Sequence, residues 1–107
     1  MEGITVLHMV VSSHNPESCG FHPHLREAYS EANAKLMALA KEKGVTIQGM
    51  WINPPEHLIF ALVDAPSAHA ILEIMMGSGQ LTTQTVKVHA VIPGEQASQA
   101  AGIPVPQ

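Results

Sequence analysis

"VTIQGMWINPPEHLIFALVDA", residues 45–65, decides how this chain folds. Its flanks, VTIQGMWI and HLIFALVDA, are rich in β-branched, aromatic and aliphatic residues and read as two strands. The NPPE between them is too rigid to continue a strand and too short for anything but a hairpin connection. A hairpin therefore sits in the middle of the chain, and the question is what precedes and follows it. Upstream, PHLREAYSEANAKLMALAKEKG places Leu25, Ala28, Tyr29, Ala32, Leu36, Leu39 and Ala40 at helical spacing. Pro23 suits the first turn, Glu27 the positive end of the dipole, Lys41 and Lys43 the negative end, and Gly44 the C-terminal cap. Before that helix, GITVLHMVVS predicts a strand over residues 3–12. Downstream, PSAHAILEIMMG reads as a second helix that buries Ala68, Ile71, Leu72 and Met75, and LTTQTVKVHAVI alternates as a fourth strand.

The order βαββαβ is the ferredoxin-like α+β pattern, a four-stranded antiparallel sheet in the order 4-1-3-2 with both helices on one face. Residues 1–92 make this domain. Residues 93–107, rich in Pro, Ala, Gln and Gly, hold too few large apolar groups to pack alone and are expected to be flexible or to lie across a partner. Strand one carries Ile4, Val6 and Val10 on one side and Leu7, Met9 and Val11 on the other. Strand three carries Ile59, Ala61 and Val63 opposite Leu58, Phe60 and Leu62. A sheet with one wet face would alternate apolar with polar. Two helices cover only one face, so the other is expected to pack on a second copy, giving a homodimer or a higher homo-oligomer. Trp51 and Phe60 are expected in the core.

Composition narrows the function. At 107 residues the chain has the length of one domain. Hydrophobic residues make up 46% and charged residues 13%, and the net charge is −4 with only five Lys and Arg. That balance offers no basic footprint for nucleic acid or for an anionic membrane surface. No apolar run reaches the length of a spanning helix, and the N-terminus lacks the basic region of a signal peptide. The lone Cys19 forms no intrachain disulfide, so a reducing cytoplasm is expected.

One loop holds the chemistry. In SSHNPESCGFHPH, residues 12–24, the only cysteine and three of the seven histidines gather among Pro16, Gly20 and Pro23. The topology opens this loop at the end of the sheet where His57 begins the third strand, so His14, Glu17, Cys19, His22, His24 and His57 share one end. His69 and His89 fall at the other end, and His8 lies mid-strand. Thiolate with imidazole is the ligand set of zinc and the later first-row metals. The expected metal ligands are His14, Cys19 and His57, with His22 as a fourth and Glu17 as a supporting group or base. Zinc is the default ion, with nickel, copper and iron as alternatives. Three protein ligands leave a position for water or a small-molecule ligand. The competing enzyme reading needs no cofactor: a Cys19–His57 pair assisted by Glu17, with the start of the first helix favouring the thiolate. A pure interaction module ranks third.

With loop and His57 in place, the sequence resembles the dimeric α+β-barrel superfamily, which includes muconolactone-isomerase-like and antibiotic-biosynthesis-monooxygenase-like proteins. More narrowly, it is similar to small uncharacterised proteins with a His-x-Pro-Glu-x-Cys stretch after the first strand, here His14-Asn15-Pro16-Glu17-Ser18-Cys19, and with a stretch like GMWINPPEH ending at His57. The resemblance covers about residues 4–92 and implies the ferredoxin-like fold and a dimer. Some small ferredoxin-like proteins bind nickel or other transition metals, which favours a metal site. His22 and His24 stand outside the resembling motif.

Overall fold

The computed structural model describes residues 4–19 and 21–104. Gly3, at the expected start of the first strand, Gly20 of the loop and the last tail residues, 105–107, lie outside the described residues. Val6–Ser13 forms β1, Arg26–Glu42 α1, Thr46–Asn53 β2, Leu58–Ala65 β3, Ala68–Gly77 α2, Thr85–Ala90 β4 and Gly94–Ala101 α3. The four strands make one sheet in the order β2-β3-β1-β4, with every neighbouring pair antiparallel. This is the expected ferredoxin-like α+β architecture.

Period-two alternation sorts β1 and β3 into two faces. Val10 of β1 and Ala61, Val63 and Ala65 of β3 are buried in one cluster with Leu36 and Ala40 of α1 and Ile71, Ile74 and Met75 of α2. Both helices therefore lie on that face. Leu7, Met9, Val11, Phe60 and Leu62 point the other way and are only half-buried. One boundary of each helix follows directly from its sequence. The Ser67 hydroxyl caps α2 by accepting from Ala70 N at 3.1 Å. Gly44, at φ 70°, supplies the left-handed turn after α1 that a side chain resists.

Three features differ from the sequence expectation. The register of β2 against β3 shifts between Ile47 and Gly49. Strict alternation from Ile47 would put Trp51 on the helix side. The extra residue reverses the faces beyond it, because a one-residue slip exchanges them. Trp51 then pairs with Phe60 on the open face and is 58% exposed, not in the core, while Met50 and Ile52 turn to the helix side of the sheet and stay half exposed. The first half of the predicted helix is also looser than its pattern suggests: residues 23–25 form a separate 3₁₀ turn, and no residue of α1 before Leu36 is fully buried. Lastly, the tail, expected to be flexible or to lie across a partner, carries α3, which buries none of its residues.

Candidate metal centre

The end of β1 and the start of β3 meet across one rung, Ser13 beside Leu58, and the chain leaves the sheet there on both sides. The next residue outward on each strand is a histidine. His14 N donates to the His57 carbonyl at 3.4 Å, and the imidazoles approach edge to face with centroids 5.1 Å apart. His57 reaches this place at a cost. Its φ is 56°, the left-handed region, and it is the only non-glycine residue with positive φ among those described. The turn before it enforces that angle. Asn53 Oδ1 accepts from Glu56 N at 3.2 Å, Asn53 Nδ2 donates to Glu56 Oε1 at 2.8 Å, and His57 N donates to the Pro54 carbonyl at 3.2 Å.

Cys19 comes to the same point from the loop. A 3₁₀ turn over Pro16–Ser18 folds it back, with Ser18 N donating to Asn15 O at 2.9 Å and Cys19 N to Pro16 O at 3.2 Å. The Tyr29 hydroxyl of α1 donates to the Ser18 carbonyl and ties this turn to the helix. Cys19 is buried, with 7% of its surface exposed. One ligand atom each from His14, Cys19 and His57 lies within 4.8 Å of the others.

The surroundings of His14 favour its neutral form. Both ring nitrogens of His14 and Nδ1 of His57 are buried with no hydrogen-bond partner in the protein. A buried polar atom without a partner is costly, and the usual compensations are a water or an ion. Burial, and then the charge of neighbouring His57, hold His14 below the ordinary imidazole value. A neutral imidazole is the form that ligates a metal.

The other expected site residues stand apart from this trio. The His22 ring donates from Nε2 to the Pro16 carbonyl at 2.7 Å and stacks on His24, with centroids 5.5 Å apart. Its side chain braces the loop. Glu17 is exposed and outside the cluster. His69 pairs with Glu73 at 3.3 Å, and Glu73 also holds Lys43 at 3.1 Å. His8 is buried under the helices and donates from Nδ1 to the Val6 carbonyl at 2.8 Å. His89 faces outward beside Met9 on the open side of the sheet.

A cavity of about 240 Å³ runs between the sheet and the helices, and His14 and Cys19 form part of its wall. Aliphatic residues make most of that wall, among them Val10, Ile59 and Ala61 from the sheet and Leu36, Ile71 and Met75 from the helices. Half-exposed Met50 and Ile52 also line it. Its polar groups are Ser12, Tyr29 and a chain of amides. Gln84 Nε2 donates to Gln80 Oε1 at 2.7 Å, and Gln80 Nε2 donates to Asn33 Oδ1 at 3.0 Å. The sequence reading missed this wall. Ser12 carried a signal, as a polar residue in phase with Val10 on the covered face of β1. Asn33, Gln80 and Gln84 carried none, being scattered polar residues on three different segments.

Among solved structures, the chain is similar to the SCO4226 protein of Streptomyces coelicolor A3(2), at 20% identity and a TM-score of 0.58 over 80% of this chain and 96% of that one. A second similarity, to an amidase of the hydantoinase/carbamoylase family from Burkholderia multivorans, has 11% identity and a TM-score of 0.39 over 94% of this chain and 33% of that one. No curated protein matches. Among the described residues, no helix is long and apolar enough to cross a membrane. Residues 17–102 match a family model that takes in Cys19, His57 and α3, and the chain belongs to that family, the domain of unknown function DUF3303.

Proposed function

We propose that this protein binds one transition-metal ion through His14, Cys19 and His57 and presents it to a small molecule in the adjoining cavity. The observation that carries the reading is the set of buried, partnerless imidazole nitrogens gathered with a buried thiol. A buried ring nitrogen without a partner is expensive, and one ion takes a nitrogen from each imidazole together with the Cys19 thiolate, leaving the second His14 nitrogen for a water or the bound molecule. Zinc suits a mixed nitrogen and sulfur set best, with nickel, copper and iron as the alternatives. Three protein ligands leave a coordination position open, and two of the three line the cavity, which is the arrangement of a metal-dependent enzyme rather than a closed structural site. The competing cofactor-free thiol mechanism needs Glu17 to orient His57, and Glu17 stands outside the cluster. Assembly as a homodimer through the open sheet face, in the manner of an α+β barrel, belongs to the same proposal.

Elemental analysis tests the metal. Purified without chelators or metal-affinity resin, the protein is expected to carry close to one equivalent of a transition metal or to take up zinc stoichiometrically. Cys19→Ser and His57→Ala lose it, and His89→Ala, at the far end of the sheet, retains it. Metal that survives the first two substitutions, or is lost in the third, places the site elsewhere.

A further inference from the structure

We infer that the cavity beside the trio takes a small, largely aliphatic or aromatic molecule that carries a single anionic oxygen head, with that head at the metal. The inference rests on the metal reading above and adds the chemistry of the ligand. Its first basis is the wall. Among the described residues, no Asp, Glu, Lys or Arg side chain lines the cavity. A charge placed anywhere but beside the metal would lie against aliphatic groups with nothing to offset it. The second basis is the amide chain. Gln80, 3% exposed, accepts from Gln84 at its side-chain carbonyl and donates its amide nitrogen to Asn33. Gln80 is therefore satisfied within the protein and demands no polar partner from a ligand.

The third basis is charge balance at the trio. A coordinating thiol is a thiolate, so a divalent ion held by Cys19 and two neutral imidazoles leaves one positive charge in excess. In an apolar pocket that excess is best cancelled by one negative donor at the open position. A neutral head leaves the charge in place, and a doubly charged head overshoots it. Size sets the remainder. At about 240 Å³ the cavity falls below the range of about 300–1,000 Å³ usual for drug-sized ligands, so the molecule is small.

Calorimetric titration of the zinc-loaded full chain tests this with hexanoate, its uncharged analogue hexanamide, and acetate. Each methylene buried is expected to bring about a fourfold gain in affinity. Hexanoate should therefore bind at least about tenfold more tightly than acetate, which lacks the tail, and at least about tenfold more tightly than hexanamide, which lacks the charge. Ala61→Leu, which fills the cavity from β3, should abolish the advantage of hexanoate over acetate while zinc stays bound. Met50→Trp, at a half-exposed position on the same wall, serves the same purpose if Ala61→Leu does not fold. A zinc-loaded protein that binds hexanoate no better than acetate or hexanamide, or that keeps its preference after the cavity is filled, overturns this inference and leaves the metal reading intact. A wild-type chain that takes up no zinc overturns the metal reading, and this inference with it.

Discussion

At the scale of single residues, His57 joins a structural cost to a place in the candidate metal centre. Left-handed backbone costs a non-glycine residue roughly 1–2 kcal/mol, yet it places this imidazole against His14. His57→Gly should therefore lose zinc while the metal-free protein melts no lower than wild type. His57→Ala should lose zinc and be less stable than His57→Gly by about 1 kcal/mol, as read from denaturant unfolding. His14 gives a pH prediction. Its folded-state value is lowered below the ordinary 6.5 by burial first and by His57 second. Below pH 6.5 the unfolded chain takes up a proton that the folded chain resists, so metal-free stability falls as pH drops from 6.5 through the lowered value and gains nothing from this group above 6.5. Thermal melts of the metal-free protein check the sign, and His14→Gln should flatten the acid limb. Much of this site was legible in the sequence. His14 and Cys19 share one loop, and the strand order alone brings His57 to them. What was hidden is local. The strained backbone of His57 depends on the Asn53–Glu56 turn closing as it does. The exclusion of His22 depends on a hydrogen bond to Pro16 that no spacing rule reveals.

At the scale of elements, the loop that carries Cys19 has short 3₁₀ turns and no ladder of its own, so its position depends on the few ties that reach it. The Tyr29 hydroxyl on the Ser18 carbonyl is the tie from α1. Tyr29→Phe keeps the ring and removes the hydroxyl. It should cost about 0.5–1.5 kcal/mol of stability. It should also weaken zinc binding by about tenfold, as supporting groups around metal ligands commonly do, measured by competition with a chromophoric chelator. Unchanged affinity would mean the loop is held by other means. The strands and the two packed helices were readable because their apolar periods are strong, and the strand order followed from topology. Two elements escaped for opposite reasons. The bulge in β2 left a single mark, Gly49, because a glycine inside a strand pattern signals a bulge, but apolar alternation reads straight through it, and the bulge exchanges the faces of Met50 and Trp51. The helix α3 has no buried stripe at all, so a reading built on apolar periodicity had nothing to detect; its signals were the helix-forming Ala, Gln and Glu and the left-handed cap at Gly102.

At the scale of the molecule, one sheet and one layer of helices give a body only 17 Å along its thinnest axis. Everything on the far side of the sheet is therefore surface in a single chain. That side carries Leu7, Met9, Val11, Phe60 and Leu62 on the central strands and Trp51 on the edge, with Trp51 58% exposed. We propose that this apolar face is an interaction surface. Lys87 and His89 of β4 flank it on one side and Asp64 lies at the end of β3, an apolar centre with a polar margin. The occupant we propose is a second copy related by a two-fold axis, because a self-complementary sheet face buries the same residues on both partners and closes the assembly. Light scattering at micromolar concentration should give twice the chain mass. Phe60→Asp, in the middle of β3 on the open face, should give a folded monomer, since its side chain is only half-buried by its own chain. The trio and the cavity lie on the helix side of the sheet, drawn from residues of one chain, so this monomer should still take up one equivalent of zinc. A wild-type chain that is already monomeric and well folded would show that the open face is tolerated bare. A Phe60→Asp monomer that has lost its zinc would show that the metal centre needs the partner, and that the single chain described here holds only part of the site.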